Sequence, residues 1–409
     1  MKIILVTASY PPEIRAISLM MRQLAEGLQK KGHEVIVVTA YPKRNLSSSE
    51  KNRVFRETEL EDNIRVIRIK APPISNIGYI ARGLFQLLLP FIFIFKAGKL
   101  IKEKIDAVIV YSPPLPLALF GMWAKKHYKA KFMLNVQDIF PQNAVDLGIL
   151  KNKAIIKFFE FIEKKAYKSA DIITAHTDSS RKFLVSNKNV PESKIGVVYN
   201  WIDIDSYHNI NPKGFYRKLY NLEGKFVFLF TGVIGPSQGL DFILKVAQMV
   251  LDIPEIIFLI IGEGTEKEKL RKAASKLMVT NIIFGDYVPL KEYPALVKEM
   301  DVGLVCLSML NKTPVIPGKI IGFMAASLPV AAFLNKESDA HILIRQARAG
   351  YSAYSCDVKK AAEVIKSVFI DKDNLRYFAE SGYQYARNNF SEDICIDKLH
   401  KLLINIVRY

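Results

Sequence analysis

The sequence predicts an α/β protein with two doubly wound, Rossmann-like domains. Short runs rich in Val, Ile and Phe recur along the chain, each followed by a turn and an amphipathic stretch with helical spacing. Such alternation is typical of βαβ units around a parallel sheet. The pattern stops at a polar, turn-rich stretch, residues 200–224, and then restarts, and 409 residues suffice for two such domains. We therefore expect two sheets facing across a cleft, with ligands at the carboxyl ends of the strands.

The strands are assigned from the apolar runs. In the first half they are predicted at Lys2–Thr7, Glu34–Thr39, Ile64–Ile69, Ala107–Tyr111, Lys131–Val136, Ile172–Thr174 and Gly196–Tyr199. In the second half they are predicted at Phe226–Thr231, Ile256–Ile261, Ile282–Phe284, Val302–Cys306 and Pro329–Phe333.

Helices are predicted between the strands. The first is expected at Ile17–Lys31, because it stops at Gly32, and glycine readily adopts the left-handed conformation that ends a helix. Those of the second half are expected at Leu240–Leu251, Glu266–Leu277, Tyr293–Lys298, Lys319–Ala326 and Ala340–Ala347. From Val358 on, the chain is predicted to be helical, ending in the helix Glu392–Arg408. The predicted domains are 1–200 and 201–390, with 391–409 packing back on the first domain.

The positive charge is concentrated in the first half of the chain. The net charge is +18, and residues 1–200 carry 32 Lys and Arg against 17 Asp and Glu, a net of +15. Such a half can bind anionic lipid, phosphorylated substrates or nucleic acid, or can simply be a solvated lysine-rich surface. We do not expect nucleic-acid binding, because no aromatic residues interleave with the basic ones as a stacking platform.

Residues 84–95 are the most apolar stretch of the chain. Twelve helical residues reach only about 18 Å, less than the roughly 30 Å hydrocarbon core of a bilayer, and Pro90 interrupts the stretch. Spanning is therefore not expected. Because Arg82 precedes the stretch and four lysines follow it, the segment 82–104 is predicted to lie in the headgroup region of an anionic membrane; an ordinary core helix is the alternative. The run before Pro11 is too short for a signal peptide, so we expect a cytoplasmic, peripheral membrane protein.

Two loops of the first domain carry candidate acceptor-binding residues. The loop after the first predicted strand contains Glu13, which can accept sugar hydroxyls, and Arg15, which can hold a phosphate through two parallel hydrogen bonds. The loop after the strand Lys131–Val136 contains Asp138, a lone carboxylate suited to hydroxyl binding or to proton acceptance. Helix capping is the alternative role for Glu13 and Asp138.

Three loops of the second domain carry candidate phosphate-binding residues. Glycines let backbone N–H groups approach a diphosphate at the start of a helix, and they occur here in two turns, neither of which is a GxGxxG dinucleotide fingerprint. A lysine at a predicted helix start, Lys319, suits a phosphate oxygen. The candidates are Gly232, Gly235 and Gln238 in the first turn, Gly262 and Gly264 in the second, and Lys319.

The sequence gives no sign of a metal site. The six histidines have no HxxxH or HExxH spacing, and the three cysteines form no CxxC pair. Asp203 and Asp205 have a spacing that could suit a divalent ion, but capping of a short helix explains them better. We therefore expect neither a metal nor any other cofactor.

Several motifs in sequence order resemble the family-4 (group 1) glycosyltransferases of the GT-B fold. They are the run Tyr10-Pro-Pro-Glu, the segment Val136-Gln-Asp-Ile-Phe-Pro-Gln, Ala170-Asp-Ile-Ile-Thr, Gly232 with Gln238-Gly-Leu, Ile261-Gly-Glu-Gly, and Ala325-Ala326 with Pro329-Val330. The resemblance spans nearly the whole chain and is greatest to transferases of amino-deoxy sugars in bacterial O-antigen and capsule assembly, such as the fucosamine transferases.

The resemblance implies a retaining, metal-independent transfer of a sugar, with the donor diphosphate held by the second domain. Some positions depart from the family pattern. Gly322 stands where the second glutamate of a Glu-x7-Glu motif belongs, and Val233 and Gln238 stand where many members have Arg and Lys.

The resemblance and the residues together suggest three functions. The first is transfer of a sugar, expected from a UDP-linked donor, to a polyprenyl-diphosphate-linked saccharide at an anionic membrane surface. In that function Asp138 and Lys319 are the catalytic candidates. The second is a non-hydrolysing nucleotide-sugar epimerase of the same fold. The third is an inactive paralogue that acts as an assembly partner, suggested by Gly322.

Overall fold

The structure is a computed structural model that describes residues 1–42, 46, 50, 53–72, 79–208 and 210–408. Asn209 of the predicted interdomain stretch and the side chain of Arg82 in the predicted membrane segment lie outside the described residues. The chain forms two compact units. Unit 1 comprises Met1–Val145, Leu150–Tyr199 and Asp393–Tyr409, and unit 2 comprises Asp146–Ile149 and Asn200–Glu392.

Unit 1 is built on an eight-stranded sheet in the order β3-β4-β2-β1-β5-β6-β7-β8. All neighbouring strands are parallel except β3, which pairs antiparallel with β4 at the edge. The central strands are buried on both faces, which explains their nearly continuous apolar sequences. The strands are β1 (Lys2–Val6), β2 (Glu34–Ala40), β3 (Thr58–Glu61), β4 (Ile64–Ile69), β5 (Ala107–Ser112), β6 (Lys131–Val136), β7 (Ile172–Ala175) and β8 (Ile195–Val197).

Helices connect the strands of unit 1 and close its core. They are α1 (Ala16–Lys30), α2 (Tyr79–Leu100), α3 (Ala118–His127), α4 (Gln142–Asp146), α5 (Lys153–Ser169) and α6 (Asp178–Lys188). The last helix of the chain, α16 (Glu392–Arg408), also belongs to unit 1. Its Ile396 packs where a side chain at Gly27 of α1 would lie, and Lys31 forms an ion pair with Asp397. The C-terminal helix thus packs on the first unit.

Unit 2 is built on a six-stranded parallel sheet in the order β11-β10-β9-β12-β13-β14. Its strands are β9 (Phe226–Thr231), β10 (Ile256–Ile261), β11 (Ile282–Gly285), β12 (Val302–Cys306), β13 (Val330–Leu334) and β14 (Gly350–Tyr354). Its helices are α7 (Asp205–His208), α8 (Phe215–Leu219), α9 (Asp241–Gln248), α10 (Lys267–Lys276), α11 (Tyr293–Lys298), α12 (Gly318–Ala325), α13 (Ala340–Ala347), α14 (Val358–Ile370) and α15 (Lys372–Phe390). The prediction of two Rossmann-like parallel-sheet domains is confirmed.

The apolar helix α2 is longer than predicted. It has 22 residues and contains Pro90 in its interior, so its length of about 33 Å no longer argues against spanning. Within it, Gly83–Leu100 has a mean hydropathy of 1.5 and 22% of that window is buried in the protein. However, α2 joins β4 to β5, two strands of one sheet, and buries Leu89 and Phe93 in the core of unit 1. A spanning helix would place those strands on opposite sides of a bilayer.

The stretch 200–224, predicted as the interdomain connection and counted with the second predicted domain from residue 201, lies in unit 2. The backbone N–H groups of Tyr216 and Arg217 donate to the Glu299 carboxylate, and the Arg217 guanidinium forms an ion pair with Asp301 at 2.7 Å. This polar sequence is therefore held by charged partners far along the chain, which its composition alone did not indicate.

Candidate functional site

The two glycine turns of unit 2 pack directly against each other. They follow the neighbouring parallel strands β9 and β10, so both lie at the carboxyl edge of the sheet. Gly232 and Gly262 have φ values of +116° and +146°, and a Cβ atom on Gly262 would lie 1.9 Å from the Gly232 carbonyl oxygen. A Cβ on Gly264 would lie 2.1 Å from the Ile234 carbonyl oxygen. Only glycine permits this approach, which brings the backbone of both turns together.

Lys319 lies beside these turns with its amine largely withdrawn from water. A Cβ on Gly232 would lie 3.1 Å from Lys319 Cε, and Lys319 Nζ donates to Gln238 Oε1 at 2.6 Å. The ammonium also lies 4.9 Å from the centre of the Phe230 ring. Burial lowers the pKa of Lys319 to about 8. Among the described residues no carboxylate forms an ion pair with Lys319, so an anionic ligand can supply the missing counter-charge.

Gly235 is placed differently from the other glycines. Its φ and ψ of −132° and 173° are open to any residue, and the nearest atom to a Cβ there lies 3.7 Å away. It precedes a single turn of 3₁₀ helix, Pro236–Gln238, that presents Gln238 to Lys319. The structure therefore brings together Gly232, Gln238, Gly262, Gly264 and Lys319, with Gly235 at the start of the same turn.

Two tyrosines that the sequence analysis did not identify lie next to this site. The Tyr293 hydroxyl and Thr231 Oγ1 are hydrogen-bonded at 3.0 Å, directly before Gly232. Gly322 lies one helical turn beyond Lys319 in α12, and a Cβ on it would lie 3.8 and 3.9 Å from the hydroxyls of Tyr207 and Tyr293. The hydroxyls therefore lie beside the position where the family has a glutamate. The two tyrosines reach this position through contacts between distant segments of the chain, so no local sequence pattern indicated that they belong to the site.

In unit 1, Asp138 follows β6 at the carboxyl edge of the sheet. Its side chain keeps a solvent-exposed face, yet the protein atoms packed around it desolvate the carboxyl and raise its pKa. Burial, with a smaller contribution from the Asp138 charge, also raises the pKa of Tyr111, which lies in the neighbouring strand β5. Tyr111 is thus a neighbour of Asp138 that the sequence analysis missed, because strand order is needed to find it.

Glu13 and Arg15 lie in the loop after β1, on the same sheet edge. Ser9 Oγ donates to Glu13 Oε2 at 2.5 Å, which fixes the carboxylate, and Arg15 is the residue immediately before α1. The loop is held in place by Arg68 of β4, whose guanidinium donates to the Pro11 carbonyl oxygen at 2.7 Å. Arg68 is fully buried, and a positioning arginine inside an apolar strand was not recognised from the sequence.

The structure gives Asp203 a capping role. The backbone N–H of Ser206 donates to Asp203 Oδ1 at 3.2 Å at the start of α7. Within the described residues, no three His, Cys, Asp or Glu side chains lie close enough together to hold a metal ion.

Two family models match the chain in series. Residues 17–206 match "Glycosyltransferase Family 4" and residues 213–385 match "Glycosyl transferases group 1". The chain belongs to this glycosyltransferase family. The resemblance inferred from the motifs is therefore confirmed, and the two matches follow the two units closely.

Two of the curated relatives of this glycosyltransferase come from bacteria. The probable glycosyltransferase WbjE of Pseudomonas aeruginosa is 26% identical over 80% of this chain and 82% of its own length. The putative colanic acid biosynthesis glycosyl transferase WcaI of Escherichia coli is 24% identical over 80% of this chain and 81% of its own length. Among solved structures, Anabaena HepE in complex with UDP and glucose has a TM-score of 0.74 at 15% identity, covering 99% of this chain and 100% of that one. At this identity the structural likeness establishes the GT-B fold alone.

Proposed function

We propose that this glycosyltransferase moves a sugar from a UDP-linked donor to a lipid-linked saccharide during assembly of a bacterial surface polysaccharide. The observation that carries the proposal is Lys319, a desolvated ammonium without a carboxylate ion pair among the described residues, beside two interlocked glycine turns. Support for the polysaccharide comes from WcaI, named for colanic acid, and support for UDP comes from HepE, solved with UDP.

The donor half of the reaction is assigned to unit 2. When the bond between the sugar carbon and the diphosphate oxygen breaks, the diphosphate takes the electron pair and gains negative charge. Lys319 and the backbone N–H groups around Gly235 and Gly262 stabilise that charge without a metal ion, because they are held in place before the reaction begins. Transfer should therefore continue in the presence of a chelator. We further propose that the transfer retains the anomeric configuration and that the sugar is a hexose or amino sugar.

The acceptor half is assigned to unit 1. A hydroxyl of the acceptor must lose its proton as it bonds to the sugar carbon, and the raised pKa of Asp138 makes its carboxylate a stronger base. Glu13, fixed by Ser9, accepts hydrogen bonds from acceptor hydroxyls, and Arg15 binds an acceptor phosphate. A polyprenyl diphosphate would supply such a phosphate.

A lipid-linked acceptor requires access to a membrane, and α2 provides an apolar surface for it. Leu84, Leu88, Phe91 and Phe95 recur at helical spacing and are 49–60% exposed, on the side of α2 opposite its buried face. Lys99, whose ammonium lies 3.9 Å from the centre of the Phe95 ring, and exposed Lys102 follow. We propose that α2 lies in the interface of the cytoplasmic leaflet, so that the enzyme is peripheral and cytoplasmic.

One alternative keeps a specific observation in its favour. Gly322 stands where the family has a glutamate. The absence of this carboxylate supports a non-catalytic partner that binds a nucleotide-sugar without transferring the sugar. The epimerase alternative has no such support, since both matching family models are glycosyltransferase models.

Turnover with a lipid acceptor distinguishes these functions. Purified protein would be incubated with UDP-, GDP- and dTDP-sugars, with and without polyprenyl-diphosphate saccharides extracted from bacteria, and free nucleotide would be measured. We expect UDP release that depends on the acceptor and that falls at least a hundredfold in Asp138→Asn, which keeps the shape of the side chain but not its basicity. If calorimetry shows that UDP binds but no free UDP is formed from UDP-sugars with any acceptor, the result would favour the non-catalytic partner.

A further inference from the structure

A second helix of unit 1, α5, exposes an apolar stripe of its own. Ile155, Phe158 and Phe161 are 43%, 47% and 59% exposed, whereas Phe159 and Ile162 on the adjoining side of the helix are buried in the core. Two exposed phenylalanines in one helix are costly in water, and such patches mark contact surfaces.

Lysines surround this stripe. Lys165 Nζ lies 5.4 Å from the centre of the Phe161 ring, so the aromatic and the cationic groups point outward together. The helix carries two glutamates: Glu163 is buried in an ion pair with Lys188 at 2.9 Å, which leaves Glu160 as its one exposed carboxylate. The exposed lysines of α5 are Lys153, Lys157, Lys164, Lys165 and Lys168.

The fold puts α5 and α2 on the same face of the sheet. The crossover from β4 to β5 through α2 and the crossover from β6 to β7 through α5 run in the same direction along the strand order. Because such crossovers are right-handed, both helices lie on one face. Each also contacts α3 and the short turn Leu115–Leu117 that lie between them. The C-terminal helix α16 packs on α1, whose crossover runs in the opposite direction, and so covers the other face.

We propose that α2 and α5 together form one lipid-facing surface that holds unit 1 on an anionic leaflet through two apolar stripes. This inference rests on the membrane association proposed above for α2, and it adds α5 as a second contact with the membrane. A bilayer is the occupant that the chemistry fits, because aromatic side chains enter the headgroup region while the flanking lysines meet anionic lipid. A second copy of the chain would bring two lysine-rich faces together.

Binding of the full-length protein to vesicles tests the surface. Vesicles of 30% phosphatidylglycerol in phosphatidylcholine, and of phosphatidylcholine alone, would be sedimented with wild type, Phe158→Ser/Phe161→Ser and Phe91→Ser/Phe95→Ser. Phe215→Ser, an equally exposed phenylalanine of unit 2, is the matched control. We expect each pair of substitutions to weaken binding to the anionic vesicles about tenfold, and the control to bind as wild type.

The possible results separate the inference from the function on which it rests. If the α5 variant binds as wild type while the α2 variant is weakened, the two-helix surface is wrong and α2 acts alone. If wild type binds neither vesicle, membrane association itself is wrong, whereas acceptor-dependent UDP release would still establish the transferase. Light scattering provides a further check, because a wild-type dimer that Phe158→Ser/Phe161→Ser converts to a monomer would assign this face to a protein contact. An unchanged circular dichroism spectrum and an unchanged Tm in each variant show that unit 1 is still folded.

Discussion

Lys319 connects the chemistry of the donor site to pH. Its pKa of about 8 means that a growing fraction of the free enzyme loses the ammonium charge as pH rises through that value, while Asp138, with a raised pKa, loses its basic form as pH falls. We therefore expect kcat/KM to have an alkaline limb near pH 8 and a second, acid limb. Lys319→Arg, which stays charged, should move the alkaline limb upward. An unchanged alkaline limb in that variant would assign it to another group.

The glycines of the donor turns are expected to differ in their tolerance of a methyl group. Gly262→Ala would drive a Cβ into the Gly232 carbonyl oxygen at a φ of +146°, and we expect unit 2 to lose about 3 kcal/mol of stability, or about 6 to 12 °C in Tm. Gly235→Ala, the matched control, meets nothing closer than 3.7 Å and should unfold within about 2 °C of wild type. Equal Tm values for the two variants would contradict the interlocked turns.

At the scale of elements, a pair of histidines that can take up protons connects α16 to the rest of unit 1. His33 Nε2 and His400 Nε2 lie 2.8 Å apart, and burial, together with neighbouring positive charges, lowers the pKa of both imidazoles. Because the folded pKa values lie below the unfolded one, the unfolded chain takes up protons first, and stability is lost as pH falls below about 6.5.

Thermal unfolding between pH 7.5 and 5 measures this effect. We expect the Tm of wild type to fall over that range and the fall to be smaller in His400→Gln, which cannot take up the second proton. Lys401→Ala, an exposed change in the same helix, should follow wild type. If all three lose the same number of degrees, the histidine pair does not couple α16 to pH.

Most elements were predictable because buried parallel strands have continuous apolar sequences. Strands such as Lys131–Val136 and Phe226–Thr231 were placed to the residue. The strands β3 and β14 were missed, since TELE and GYSAY lie at sheet edges and lack that apolar run. The helix α2 was predicted too short, because its ends carry Gly, Arg and Lys that continue the helix without adding hydrophobicity.

The candidate site was only partly predictable from the sequence, because a local pattern names a residue but not its partners in space. Glycines after strands and a lysine at a helix start follow a local pattern, so the donor turns and Lys319 could be named from the sequence. The partners of these groups are set by strand order and by packing between distant segments. Tyr293 beside Thr231, Tyr111 beside Asp138 and Arg68 beneath Pro11 are of this kind.

At the scale of the whole molecule, the proposed reaction is divided between two units of similar construction. Unit 2 carries the groups proposed for the donor diphosphate, and unit 1 carries those proposed for the acceptor and the membrane. The two roles should therefore separate in variants, since changes at Asp138 or on α5 leave the donor turns untouched, and changes at Lys319 leave the lipid-facing surface untouched.

The most direct test of the central claim is calorimetric titration of UDP into wild type and Lys319→Ala at pH 7. Loss of a charge-assisted contact to a phosphate is expected to weaken UDP binding about 10- to 100-fold, while Lys319→Arg should retain most of the affinity. Asp138→Asn, with its change in the other unit, should bind UDP as wild type does. Equal UDP affinity in wild type and Lys319→Ala would contradict the assignment of the diphosphate to this site.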